Sequence, residues 1–155
     1  MVLRVIWLLR HAEAEDGSPD AERPLTDRGR EQAHDAGAAL AALGVKLDAC
    51  VSSPKLRATE TARIVCDQLD GLEVQVDDRL RGGPLDPEEL AEGLGEEVLL
   101  VGHDPDFSLA VHRMTGAQVR LKKCGVATVA KGELILLLRP SVLSALAAAA
   151  PARSQ

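Results

Sequence analysis

Short apolar runs alternate along this chain with stretches in which apolar residues recur every three or four positions. The runs are too short for helices, and Gly, Pro, Asp and Ser surround them, which is typical of buried strands. Four of them predict strands in the first two thirds of the chain: residues 5–9, 49–51, 72–76 and 98–101. Strands that alternate with helices in this way predict an α/β fold.

The stretches between the strands carry helix start and stop signals. Thr26 is suited to cap a first helix that stops near Gly44, because glycine readily adopts the conformation that ends a helix. Ser53 is expected to cap a second helix, and Asp104 is expected to cap a later one. A proline follows each of these two residues, and proline is favoured in a first helical turn.

The last third of the chain has a different pattern. Residues 126–130 and 134–138 are two apolar runs on either side of Lys131 and Gly132, which predicts an antiparallel hairpin with a two-residue turn. Residues 141–150 are rich in alanine and predict a final helix.

These elements predict a three-layer α/β sandwich. Its central sheet is expected to be mostly parallel, with helices on both faces and the antiparallel hairpin at one edge. A chain of 155 residues is long enough for one domain with a sizeable core. We predict a single domain over residues 1–150 and a disordered tail over residues 151–155.

Composition adds several exclusions. The net charge of −6 argues against a surface that binds nucleic acid or an anionic membrane. The aromatic residues are Trp7 and Phe107, so the chain also has too few rings on which bases could stack. Residues 5–9 are too short for the core of a signal peptide, and no stretch approaches the ~20 apolar residues of a membrane span. We therefore expect a cytoplasmic protein without nucleic-acid or membrane partners.

Three of the predicted strands end at residues suited to anion binding. Arg10 and His11 end the first strand, Arg57 lies in the first turn of the helix after the second, and His103 follows residues 98–101. The carboxyl ends of parallel strands form the ligand-binding edge of an open sheet, so these side chains are expected to converge. Guanidinium groups match phosphate oxygens, and a neutral imidazole can attack phosphorus. The pattern predicts a phosphate site without metal or cofactor.

Four segments, in order, resemble those of the histidine phosphatase superfamily, branch 1, the phosphoglycerate mutase-like enzymes. The segment "LLRHAEA" resembles the Arg-His signature of the family, with alanine where glycine is more common. The segments "RPLTDRGREQA", "VSSPKLRATETA" and "VGHDPDFSLAV" resemble the start of its first helix, its second-arginine segment and its second-histidine segment. Within this family, the short chain and its short middle segment make the protein most similar to the SixA-like phosphohistidine phosphatases.

The resemblance implies a set of site residues and a reaction. His11 is the implied nucleophile, which forms a phosphohistidine intermediate, and Arg10, Arg57 and His103 are the implied phosphate pocket. Arg23, in the loop before the first helix, is a further candidate to hold the anion. The implied reaction removes phosphate without a metal ion, from phosphohistidine in a protein or from a small phosphorylated metabolite.

The general acid is open. Larger members of the family carry a glutamate between the second arginine and the second histidine, and this chain has no clear match to it. The candidates are Glu13, Asp16, Asp86, Glu88 and Glu89. An alkoxide is a poor leaving group, whereas the P–N bond of phosphohistidine breaks more readily, so a weak or absent acid favours phosphohistidine as the substrate.

Other classes of function are open as well. A metallophosphatase would need convergent ligands, and arginines in the same pocket would repel the metal ion. A phosphate-binding module would use the same residues without turnover. A dinucleotide-binding domain is disfavoured because no G-x-G-x-x-G follows the first strand. Outside the predicted site, we interpret Arg120, Lys122 and Lys123 as a solvated surface run of charge.

Overall fold

The computed structural model describes residues 4–151 and contains one six-stranded sheet and five α-helices in that range. The strands are β1 (Val5–Arg10), β2 (Ala49–Ser52), β3 (Val74–Val76), β4 (Glu97–Gly102), β5 (Val126–Ala130) and β6 (Glu133–Leu138). The helices are α1 (Asp27–Ala42), α2 (Leu56–Asp67), α3 (Pro87–Ala91), α4 (Asp106–Thr115) and α5 (Pro140–Ala149). Two short 3₁₀ turns lie at Asp20–Glu22 and Asp78–Leu80.

The sheet is mixed, with the strand order β3-β2-β4-β1-β5-β6. The first four strands in this order are parallel, while β5 pairs antiparallel with β1 and β6 pairs antiparallel with β5. Lys131 and Gly132 form the two-residue turn between β5 and β6, as predicted. The expected edge hairpin therefore closes one side of a parallel sheet.

Helices cover both faces of the sheet, which confirms the predicted three-layer fold. In β1, Trp7 and Leu9 pack into a core with α1, α2 and α5, while Ile6 and Leu8 pack into a second core with α3 and α4. Because β1 is buried on both faces, its sequence is a continuous apolar run. None of the helices within residues 4–151 is long and apolar enough to cross a membrane.

The helix starts agree with the sequence at one position and differ at two. Thr26 caps α1, since its hydroxyl accepts the N–H of Gly29 at 2.9 Å. Lys55, not Ser53, precedes α2, because the backbone of Ser53 still bonds to the sheet through Val101 O at 2.9 Å. The chain needs two more residues to leave the sheet before the helix can begin.

The start of α4 is also displaced. The helix begins at Asp106, so Pro105 precedes the helix and does not lie in its first turn. Asp104 still acts on this helix end, because its Oδ1 atom accepts the N–H of Ser108 at 2.9 Å. This bond satisfies a donor that helix geometry leaves without a partner.

Two predictions concern the limits of the domain. Pro151 is exposed and lies outside regular structure, and the rest of the predicted tail, residues 152–155, lies outside the described residues. The single domain over residues 1–150 stays a prediction.

The segment after β1 is held against α1 by backbone contacts. Gln32 Oε1 accepts the N–H of Glu13 at 3.1 Å, and a Cβ atom on Gly29 would overlap the carbonyl oxygen of Glu13. Two residues of α2 hold the same segment, because Thr61 Oγ1 accepts the N–H of Ala12 at 3.0 Å and Glu60 Oε1 accepts that of Leu25 at 2.9 Å. Polar side chains of α1 and α2 thus position this loop.

We predict that Gly29→Ala lowers the free energy of unfolding by about 1–3 kcal/mol, the range for forced overpacking. The added methyl group would meet a backbone carbonyl, which cannot move aside without displacing the loop. Gly37→Ala is a control in the same helix, where the new methyl group would chiefly meet the flexible side chain of Gln68. Urea unfolding measures both, and equal stability of the two variants would contradict the expected difference.

Candidate active site

Backbone hydrogen bonds bring the ends of three strands to one edge of the sheet. His11 N donates to Gly102 O at 3.0 Å, which ties the end of β1 to the end of β4. Ser53 N donates to Val101 O at 2.9 Å, which ties the end of β2 to the same strand. The side chains of the residues that follow these strands therefore face one space, as the sequence pattern predicted.

That space is a cavity of about 320 Å³. His11 and His103 line it, and so do six cationic side chains: Arg10, Arg23, Lys55, Arg57, Arg81 and Lys123. So much positive charge around one cavity, on a protein of net charge −6, marks a site for an anion. All five phosphate-binding candidates from the sequence lie here, and Lys55, Arg81 and Lys123 were not among those candidates.

His11 is held as a neutral imidazole whose Nε2 atom is unprotonated. Its Nδ1 atom donates to the carbonyl oxygen of Ala12 at 2.8 Å, which leaves Nε2 as the basic nitrogen. The pKa of His11 is lowered to about 4, chiefly by burial; the hydrogen bond to Ala12 acts in the opposite direction, and the positive charges of Arg57 and Arg10 add to the lowering. A buried neutral imidazole with a free lone pair is a nucleophile at physiological pH.

His103 lies beside His11, with the two ring centroids 5.3 Å apart and the rings tilted by 56°. The Nε2 atom of His103 shares a hydrogen bond with Ser53 Oγ at 2.8 Å, which fixes the orientation of the ring. Burial, followed by the neighbouring His11, lowers the pKa of His103 to about 3. The second imidazole is therefore also neutral at pH 7.

The two arginines have incomplete hydrogen bonding. Arg10 donates from Nη1 to Leu121 O at 2.9 Å, and Arg57 is only 6% exposed. In the described part of the chain, the Nε atoms of both residues are buried without a hydrogen-bond partner. A buried N–H donor without a partner is costly, and an anion in the cavity would offset that cost.

Asp20 organises three of the cations, and sequence reasoning missed it. Its Oδ2 atom accepts from Arg57 Nη2 at 3.2 Å and pairs with Lys55 Nζ at 3.3 Å, while Oδ1 pairs with Arg23 Nε at 3.1 Å. Its backbone oxygen also accepts from Arg57 Nη1 at 2.9 Å. Hydrogen bonds from Arg57 and then Lys55 lower the pKa of Asp20 to about 2, so it is a carboxylate. Nothing in the sequence distinguishes Asp20 from the other acidic residues of this loop.

The carboxylates proposed as general acids from the sequence do not line the cavity. Glu13 accepts the hydroxyl of Thr26 at 2.8 Å, and Glu88 pairs with Arg4 at 3.1 Å. Asp86 caps α3, and Glu89 lies 3.8 Å from Arg79. Each of these four is engaged outside the cavity, and Asp16 is exposed and does not line the cavity either. The geometry therefore does not support any of the five as the proton donor to a substrate there.

Two other carboxylates do line the cavity. Asp104 Oδ1 accepts the N–H and the hydroxyl of Ser108 at 2.9 and 2.6 Å, and Asp106 Oδ2 accepts the N–H of Gly83 at 3.2 Å. Within residues 4–151, no three His, Cys, Asp or Glu side chains are grouped closely enough to hold a metal ion. The donor set of the cavity is cationic and suits a phosphoryl group.

The comparison with protein families agrees with this geometry. The family described as "Histidine phosphatase superfamily (branch 1)" matches residues 6–85, which is more than half of the chain. The match includes the ends of β1 and β2 and the helices α1 and α2. It stops before α3, and His103 lies beyond it.

Individual relatives cover parts of the chain or its fold. The serine/threonine-protein phosphatase PGAM5, mitochondrial, of Mus musculus is 42% identical over 87 residues, which is 55% of this chain. The matched part is 30% of the length of that relative.

Among solved structures, the protein histidine phosphatase SixA complexed with tungstate has a TM-score of 0.77 at 24% identity, over 90% of this chain and 99% of that one. An alpha-ribazole phosphatase from Shigella flexneri has a TM-score of 0.67 at 20% identity, over 87% and 96% of the two chains. At these identities the two structures show a shared fold.

We predict that the two buried imidazoles stay uncharged well below the ordinary histidine range. Long-range ¹H–¹⁵N NMR of the folded protein should show His11 titrating near pH 4 and His103 near pH 3. Because the unfolded chain binds protons on these rings from about pH 6.5 and the folded protein does not, the free energy of unfolding should fall as the pH drops from 6.5 towards 4. Titration of both rings near pH 6.5 would contradict the burial argument.

We also predict that Asp20→Asn tightens the binding of inorganic phosphate roughly threefold, because it removes a half-exposed negative charge from beside three cations. Isothermal titration calorimetry measures the change in Kd. Glu22→Gln is the matched control, since it makes the same charge change on the exposed side of the same 3₁₀ turn. Equal effects of the two substitutions would show that only net charge matters.

Proposed function

We infer the activity from one premise, that the chain belongs to the histidine phosphatase superfamily, branch 1. We propose that it is a metal-independent phosphatase in which His11 is the nucleophile, and that its substrate is phosphohistidine in a protein. The observation that carries this proposal is the neutral, buried His11 in a cavity lined by Arg10, Arg57 and His103.

The proposed reaction has two steps. In the first, Nε2 of His11 attacks phosphorus, the P–N bond to the substrate imidazole breaks, and the phosphoryl group is transferred to His11. In the second, a water molecule attacks the phosphorus on His11, the new P–N bond breaks, and inorganic phosphate leaves. Arg10, Arg57 and His103 hold the phosphoryl oxygens, which carry the charge of the transition state.

The electrostatics of the cavity support this assignment. Attack needs a deprotonated Nε2 atom, and the low pKa of His11 supplies it without a general base. The Nδ1 hydrogen bond to Ala12 O keeps the other nitrogen protonated and the ring in a fixed orientation. The charges that lower the pKa of His11 are the same ones that attract a phosphate dianion.

The leaving group distinguishes phosphohistidine from an alcohol phosphate. A phosphorylated imidazole that is protonated on its distal nitrogen leaves as neutral imidazole, whereas an alkoxide needs a proton from the enzyme. Asp104 and Asp106 are engaged as hydrogen-bond acceptors. This arrangement favours phosphohistidine over a small phosphomonoester.

Two relatives motivate the choice of substrates and inhibitor for a test. The matched part of the mouse relative belongs to a protein named as a serine/threonine phosphatase, so phosphoserine peptides should be included. The SixA structure was obtained with tungstate, an oxyanion that resembles phosphate, so tungstate should be tested as an inhibitor. The cytoplasmic location stays a prediction, and the mouse relative is named as mitochondrial.

The test measures phosphate release, with EDTA present, from a phosphohistidine peptide, a phosphoserine peptide and p-nitrophenyl phosphate. We expect the highest kcat/KM for the phosphohistidine peptide, inhibition by tungstate, and an acid-labile phosphoryl group on His11. His11→Ala should reduce kcat by at least about a thousandfold, because it removes the nucleophile. His34→Ala, on the exposed surface of α1, is the control and should keep full activity.

Four outcomes would contradict the proposal. Activity that EDTA abolishes would indicate a metallophosphatase, and activity that survives His11→Ala would exclude His11 as the nucleophile. Phosphate binding without hydrolysis of any substrate would indicate a binding module. A preference for p-nitrophenyl phosphate over both peptides would instead assign the chain to small phosphomonoesters.

A further inference from the structure

A second groove lies next to the candidate active site. It has a volume of about 430 Å³ and runs between α4 and the segment that follows it. Pro105, Leu109 and Val119 contribute apolar surface, and Arg120 contributes a charge. Leu109 is 49% exposed, so its side chain is accessible to a partner in the groove.

The groove adjoins the active-site cavity. Asp104 lines both. Between them lies the backbone of Leu121, whose N–H donates to Ser108 Oγ at 3.0 Å on the groove side and whose carbonyl accepts from Arg10 at 2.9 Å on the cavity side. A single residue of chain therefore separates the groove from a phosphate-binding arginine.

The segment between the two sites is strongly basic. Arg120, Lys122 and Lys123 are exposed, and Lys123 lines the active-site cavity while Arg120 lines the groove. In the part of the chain that the structure covers, none of the three forms an ion pair. The sequence indicated a solvated surface run of charge at these residues. In the structure this run lies between two neighbouring concave sites.

We propose that this groove and its basic segment bind an acidic stretch of polypeptide next to the phosphorylated residue of a protein substrate. The inference rests on the proposed function, because the phosphorylated side chain must occupy the neighbouring cavity. Extended chain advances about 3.3 Å per residue, so residues close in sequence to the phosphorylated one can enter the groove. The apolar surface of Leu109 then contributes to the affinity for the peptide, and the positive charge of Arg120 favours peptides with acidic residues.

The test compares two phosphohistidine peptides that differ only in the flanking residues, glutamate in one and glutamine in the other. We expect wild-type protein to prefer the glutamate peptide by about threefold to tenfold in kcat/KM, mainly through KM, and to lose this preference at high salt. Arg120→Glu should abolish the preference and leave the rate on p-nitrophenyl phosphate unchanged, because that substrate does not reach the groove.

Arg63→Glu is the matched control. Arg63 is exposed on α2, which packs on the opposite face of the sheet, and the substitution makes the same change of two charge units. It should leave the preference for the glutamate peptide intact. Loss of the preference in both variants would show that net charge alone attracts the peptide, which would overturn the proposed surface.

Binding of the same peptides to the His11→Ala protein, measured by fluorescence anisotropy, separates docking from chemistry. Tighter binding of the glutamate peptide supports the surface if Arg120→Glu weakens that binding. This holds even if the wild-type protein hydrolyses neither peptide, because a lack of hydrolysis would contradict only the proposed function. Equal binding of the two peptides, or a change in binding with Leu109→Ser and none with Arg120→Glu, would overturn the preference for an acidic partner.

Discussion

His11 and Ser53 each donate a backbone N–H to β4, beyond the last residue of their own strands. These two bonds continue the parallel ladder past its regular end, and the rest of the site depends on them. They place the side chains that follow β1, β2 and β4 within one cavity, without any direct bond between the two histidines. Because the central strands are buried on both faces, a shift in their register would expose apolar side chains as well as separate the site residues.

The second constraint is electrostatic. The fold places six cationic side chains around a cavity and buries two of the guanidinium groups in part, which is stable only with negative charge nearby. Asp20 supplies that charge to Arg57, Lys55 and Arg23. An anion in the cavity would supply more of it. The loop that carries Asp20 is itself anchored by Thr61 and Glu60, so the charge balance of the pocket depends on contacts made by α2.

The features that depend on periodicity and chain order could be predicted from the sequence. The prediction failed for features that are determined by contacts between residues far apart in the chain. The alternation of strands and helices predicted the layers of the sheet, and the ends of three strands predicted the convergence of Arg10, Arg57 and His103. The cap of α2 was wrong because Ser53 remains bonded to β4, a contact between residues far apart in sequence. Asp86, Glu88 and Glu89 were candidate acids because they lie between Arg57 and His103 in the chain. Glu88 instead pairs with Arg4, a residue far from it in sequence.

In this cavity the same positive charges favour the neutral form of His11 and attract an anion. Burial, and after it the charges of Arg57 and Arg10, make a charged imidazole less stable, so His11 is neutral at physiological pH. The same arrangement opposes a bound metal ion and favours departure of a leaving group that needs no proton from the enzyme. Substrate choice would then depend less on the chemistry of the cavity than on what reaches its mouth, and there Lys123 and Arg120 extend the positive charge towards the groove beside α4.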